Sequence, residues 1–166
     1  MSNKKEMKEK MSKKKKVMWI ASMIPFVMTA VVLQFMPDLV PMHYDSVGNI
    51  DRWGSKYESL IVPIIILVNA LLLYALIRHF EKKANKTVDE KEQETALSNV
   101  KALGIIGTAV SVFFGLLQCI LLYNAYEGAI TNATTAPADL KRVAYILMLF
   151  LFIVLGILIP KTSAKG

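Results

Sequence analysis

Residues 60–77 read LIVPIIILVNALLLYALI, a run without a single Asp, Glu, Lys, Arg or His. An α-helix needs about 20 predominantly apolar residues to cross a hydrocarbon core about 30 Å thick. In that medium every backbone N–H and C=O must be satisfied within the segment, so an isolated apolar run reads as a spanning helix. Three further runs, Val17–Met36, Leu103–Tyr123 and Val143–Pro160, are equally free of ionisable side chains. The chain is 54% hydrophobic, where soluble domains run nearer 45–50%. Four such runs in 166 residues do not fit a soluble bundle. The expectation is an all-α membrane protein of four transmembrane helices. Between them lie a Lys-rich segment at 1–16, loops at 37–59, 78–102 and 124–142, and a short segment at 161–166.

The first run follows a basic segment, as a signal peptide would. It is longer than the usual core of about 7–15 residues and ends in Gln34-Phe35-Met36-Pro37, with no small-residue cleavage site. It is therefore expected to stay in the protein.

Orientation follows from the basic residues. The first sixteen residues carry eight lysines, with Lys13 to Lys16 directly against the first span. Arg78, Lys82, Lys83, Lys86, Lys91 and Lys101 surround the loop between the second and third spans, and Lys161 and Lys165 follow the fourth. The two other loops hold only Arg52, Lys56, Lys141 and Arg142. Basic loops stay cytoplasmic, which puts both ends of the chain inside. The net charge of +7 then needs no nucleic-acid partner, because lysines beside a span fix topology and attract anionic lipid. Cys119 lies within the third span and has no second cysteine to pair with. It reads as a small packing residue.

Polar residues inside the spans are mild. Pro25 lacks an N–H and should kink the first helix. Gly107, Ser111, Gly115 and Cys119 recur every four residues in the third, and a stripe of small residues lets another helix approach closely. It is read as the packing seam of the bundle, the alternative being a homodimer face. With no ionisable group at membrane depth, an ion-coupled transporter is disfavoured. A polar turn is expected around Asn85–Asp89. In the second external loop, Asn132-Ala133-Thr134 is a glycosylation sequon by pattern only.

Polar chemistry concentrates instead between Pro37 and Glu58, PDLVPMHYDSVGNIDRWGSKYE. Pro37 and Pro41 hold the preceding residues extended, and Asp45, Ser46, Gly48 and Asn49 supply a turn. Trp53, Tyr44 and Tyr57 suit the headgroup level. His43, Asp45, Asp51, Arg52 and Lys56 gather around them, with Asp51 expected to pair Lys56 or Arg52. His43, Asp45 and Asp51 could be metal ligands, but their spacing is irregular. His43 with Asp51 could serve acid–base catalysis, but no nucleophile or cofactor motif accompanies them. Recognition of an extracytoplasmic peptide or a lipid headgroup fits the loop best. The candidate contact residues are Pro41, His43, Asp45, Gly48, Asp51, Arg52, Trp53 and Lys56.

The string Pro37-Asp38, Pro41, His43, Gly48, Asp51, Gly54-Ser55-Lys56, between a first and a second membrane helix, resembles the front domain of SdpI-type bacterial immunity membrane proteins. The likeness covers about Val17 to Ile77 in detail and the later helices by topology alone. The resemblance implies non-catalytic protection from a secreted toxic peptide and, in SdpI itself, membrane sequestration of a cytoplasmic repressor. The expected partners are the lipid bilayer, such a peptide, and a cytoplasmic repressor or a second copy of the chain. A small transporter and a membrane enzyme centred on His43 and Asp51 are the other readings.

Overall fold

In a computed structural model, the backbone is described for residues 2–158 and side chains for 12–139, 142–154 and 156. Four helices account for most of it: α1 (Ser2–Val32), α2 (Ile61–Lys86), α3 (Glu90–Ile130) and α4 (Leu140–Leu158). Strands β1 (Leu39–Tyr44) and β2 (Ile50–Ser55), with a 3-10 turn at Lys56–Leu60, join α1 to α2. Helices α1, α2 and α3 pack on one another, and α4 packs on α3.

Three of these helices are long and apolar enough to cross a membrane, within Ser12–Val32, Lys56–Lys86 and Glu90–Ile130. The apolar stretch described in α4, Arg142–Val154, is shorter. Ile159 and Pro160, which would complete the fourth expected span, lie outside the described residues, as does the segment 161–166. Large apolar side chains such as Ile20, Ile24, Ile65, Leu72, Leu149 and Phe152 face outward. Water would not tolerate so much contiguous apolar surface on a soluble monomer, whereas lipid tails solvate it. Helix α1 runs unbroken through the lysine-rich segment and into the first span.

Several polar side chains of the spans turn inward, while Gln34 and Asn69 are exposed. Ser22, Thr29, Ser111 and Gln118 are all buried. Ser22 and Ser111 share a hydrogen bond of 2.8 Å between α1 and α3. Gln118 donates to Thr29 Oγ1 at 3.1 Å and to the Ser59 carbonyl at 2.9 Å. Thr29 in turn donates to the Pro25 carbonyl. The small stripe of α3 faces α1 turn by turn. A Cβ on Gly107 would meet Met18 Sδ at 2.6 Å and Leu73 Cδ1 at 2.9 Å. One on Gly115 would meet Pro25 Cγ at 2.9 Å. Cys119 Sγ lies 3.5 Å from Met28 Sδ. These contacts make the stripe the α1–α3 seam, as its spacing predicts.

The expectation of an all-α chain needs correction, because the segment joining α1 to α2 is a β-hairpin. Pro37 and Pro41 exclude helical angles before them, and a tight turn returns the chain. Residues β1 and β2 pair antiparallel from Leu39↔Ser55 to Tyr44↔Ile50, with irregularities on both sides of His43. Pro41 has no N–H to give to the ladder, and the register slips immediately after it. The turn between α2 and α3 occupies residues 87–89, within the expected stretch. Asp89 caps α3 by accepting from Lys91 N at 2.8 Å, and Gln93 caps α2 by donating to the Ala84 carbonyl at 2.9 Å.

Filling the seam should separate the helices. Gly115→Leu is expected to cost on the order of 1–3 kcal/mol, whereas Gly156→Leu, with open space around it, should leave stability nearly unchanged. Thermal midpoints of the two variants in one detergent check this.

Candidate functional site

The hairpin is built by local chemistry. The Asp45 carboxylate accepts the N–H groups of Val47 and Asn49, each at 2.8 Å, and its other oxygen accepts Asn49 Nδ2 at 2.8 Å. Gly48 takes a φ of 96°, a left-handed conformation that a Cβ would disfavour. Ser55 and Glu58 close a capping box at the end of β2. Glu58 also pairs with Arg52 at 2.8 Å. A side chain on Gly54 would collide with the Glu58 carboxylate.

Two-stranded hairpins alone are marginal in water, and this one is anchored. Val40 is completely buried among Leu33, Met36, Leu122 and Ala125, a burial that contributes about 1.5–3 kcal/mol. Pro41 packs where Gly128 of α3 leaves room: a Cβ there would sit 2.8 Å from Pro41 Cγ. Lys56, only 13% exposed, donates to the Met36 carbonyl at 3.1 Å and pairs with Asp38 at 3.1 Å. It brings a cation to carbonyl groups beyond the C-terminus of α1, where the helix dipole favours positive charge. The linker between α3 and α4 then pairs with the turn. Ile50 donates to the Thr134 carbonyl and Ala136 to the Gly48 carbonyl, each at 2.8 Å, and the Asn124 side chain accepts from Ala138 N at 2.8 Å. Both loops at this end of the bundle form one unit.

The eight candidate residues therefore divide. Pro41, Asp45, Gly48 and Lys56 hold the hairpin together, and Arg52 is engaged by Glu58. Asp51 pairs with neither Arg52 nor Lys56, as expected from the sequence, but with His43: Nδ1 lies 2.6 Å from Asp51 Oδ1. The irregular register around His43 brings these two side chains together. Their side chains remain 64% and 42% exposed, and Trp53 is exposed nearby in sequence on β2. His43, Asp51 and Trp53 are thus the members free to meet a ligand.

His43 also lines a cleft of about 590 Å³ between the hairpin turn and the α3–α4 linker, with Tyr44, Asp45, Leu121, Ala136 and Asp139 among its walls. That volume lies within the usual range for ligand pockets, about 300–1,000 Å³. The Tyr44 hydroxyl is buried without a hydrogen-bond partner among the described residues, and burial pushes its phenol above the ordinary value. Sequence reading took Tyr44 for a headgroup anchor and gave no role to Glu58, although the Ser55…Glu58 spacing of a capping box was visible. The pairing of Thr134–Ala136 with the turn had no local signal.

Chemically, Asp51 fixes the imidazole so that one ring nitrogen faces outward. Among the described residues no hydroxyl or thiol is bonded to His43, and no three His, Cys, Asp or Glu side chains gather as a metal site would require. Asp45, one of the three candidate ligands weighed from sequence, is consumed by its own turn. The arrangement suits contact and hydrogen bonding.

The turn is acid-sensitive. The backbone N–H of Asn49 does most to hold the Asp45 carboxyl below its ordinary value; desolvation opposes it, and the Asn49 side chain and the N–H groups of Val47 and Gly48 lower it further. A hydrogen bond from Arg52 lowers Glu58 similarly. Depressed folded values mean that this stabilisation is complete above the ordinary carboxylate pKa of about 4 and is lost as pH falls through the lower folded values. Amide protection of Val47 and Asn49 should therefore hold at neutral pH and collapse on acidification. In Asp45→Ala it should be weak throughout. Hydrogen exchange read by mass spectrometry or NMR checks both.

No curated protein and no solved structure matches the chain. Residues 20–67, from α1 through the hairpin into α2, match the family model described as a domain of unknown function, DUF1648.

Proposed function

We propose that the chain is a multi-pass cell-membrane protein that senses or neutralises an extracytoplasmic toxic peptide without catalysing a reaction. One observation carries the reading: the His43–Asp51 pair and Trp53 stand exposed on a hairpin in which Asp45, Arg52 and Lys56 are engaged in bonds that hold it together. Rigid presentation lowers the entropic cost of binding. The adjoining cleft, lined by His43, Asp45, Leu121 and Asp139 among others, offers a peptide both apolar and polar contact. The resemblance of the hairpin string to SdpI-type immunity proteins supplies the ligand class. A cytoplasmic repressor or a second copy would be the partner through which binding is relayed.

In this reading four helices span the membrane with both ends inside, and the hairpin and α3–α4 linker lie outside. Lys13 to Lys16, Lys82, Lys83, Lys86 and Lys101 support that orientation through the positive-inside rule. In a Cys119→Ser background, single cysteines at Ser46 and Thr134 should react with an impermeant thiol reagent added to intact cells. One at Asn85 should not, and its labelling would invert the orientation.

The functional test is survival of a sensitive bacterial host that expresses the chain and is challenged with a panel of membrane-active bacterial peptides. His43→Ala and Asp51→Ala should abolish protection while protein level and hairpin exchange protection stay at the parent's values. Lys56→Ala should instead lower the protein level, because it removes the cation that ties the Met36 carbonyl and Asp38 to the base of the hairpin. Full protection by both loop variants at normal level would remove the main support for the reading.

A further inference from the structure

At the lysine-bearing end of the bundle, α1, α3 and α4 leave a groove of about 410 Å³ that no side chain fills. Its walls include Val17, Ala109, Val112, Leu116, Leu147 and Phe150, and its mouth is formed by Lys13 and Lys14. Three features set it apart from an ordinary gap between helices. The walls are apolar throughout: Thr108, the one hydroxyl among them, donates to the Gly104 carbonyl at 2.8 Å and is satisfied within its own helix. No acidic side chain lines it among the described residues. Lys101 on α3 stands close enough to Lys14 for the two cations to repel each other, so like charge gathers at the mouth.

The groove has a matching length. From Gly104 to Leu116 along α3 is twelve rises of about 1.5 Å, or about 18 Å, close to half of a hydrocarbon core about 30 Å thick. Gly104 lies beside Lys14 at the mouth, where a Cβ would come only to ordinary contact with Lys14 Cβ, at 3.5 Å. An occupant must therefore be an apolar chain about one leaflet long that ends in a negative group.

We infer that this groove is a binding site for one anionic phospholipid, with an acyl chain between α1, α3 and α4 and its phosphate among Lys13, Lys14 and Lys101. The inference is independent of what the hairpin recognises. It differs from general attraction of basic segments to acidic membranes, because it requires these lysines together with this groove.

The test uses the purified full-length chain in a non-ionic detergent, incubated with equal amounts of phosphatidylglycerol and phosphatidylcholine and read by native mass spectrometry. Phosphatidylglycerol should be retained on the order of tenfold better, as two or three lysines near a phosphate would give. The paired change Lys14→Gln/Lys101→Gln should erase the preference, and Ala109→Trp should block retention of either lipid in the groove. The control pair Lys82→Gln/Lys86→Gln removes as much charge from the end of α2 and should keep the preference. Equal retention of the two lipids, or equal loss in the control pair, would overturn the site. So would undiminished retention in Ala109→Trp. If Ala109→Trp lowers the thermal midpoint, the two surface lysine pairs decide the matter alone.

Discussion

The close approach of α3 to α1 is the constraint on which the molecule rests. In lipid the two helices gain little from hiding apolar surface, since the tails around them are as apolar as leucine. What holds them is contact at short range and hydrogen bonding across the seam. Gly107 and Gly115 remove the Cβ atoms that would collide with Met18 and Pro25. With the backbones that near, Ser22 reaches Ser111, and Gln118 reaches Thr29 and Ser59. The last of these bonds ties the seam to the segment entering α2. The same face of α3 continues to Gly128, where it receives Pro41 of the hairpin. One uninterrupted surface thus orders both the bundle and the external unit above it.

The spans were legible because a bilayer imposes one requirement on twenty consecutive residues, and a run such as residues 60–77 meets it without ambiguity. The seam was legible in part. Gly107, Ser111, Gly115 and Cys119 show their spacing, but Gly104 and Gly128 lie off strict four-residue steps, since helical repeats alternate threes and fours. The hairpin was harder to see. Its prolines and its turn could be read, yet β1 is short, carries a proline, and buries Val40 and Pro41 as neighbours instead of alternating. Side-chain pairing was the least accessible. Asp51 was assigned by proximity in sequence to Arg52 and Lys56, but register decides such pairs, and here the slip after Pro41 gives Asp51 to His43. Lys56 was read as a contact residue or a partner for Asp51, yet the carbonyl it satisfies, that of Met36, is twenty residues away.

Much of what resembled a binding motif turns out to be architecture. Asp45, Gly48, Arg52 and Lys56 each have a definite mechanical duty, and a residue so employed has little freedom to answer a ligand. Their presence in one short string reflects how many separate interactions are needed to keep a two-stranded sheet upright at the edge of a membrane. The acid sensitivity of the turn follows from the same economy, since one carboxylate closes it through two backbone groups. The polar lining of the neighbouring cleft depends on that turn staying closed.

Helix α3 runs from Glu90 to Ile130 without interruption, about 61 Å at 1.5 Å per residue, roughly twice the hydrocarbon thickness. One end is joined to α2 through the Asp89 and Gln93 caps, and the other carries Pro41 against Gly128. Among its residues there is no proline to serve as a hinge. The surface that receives Pro41, the seam against α1 and the capped turn before Glu90 are therefore all carried on one continuous helix, so a change at any of them acts on the same element.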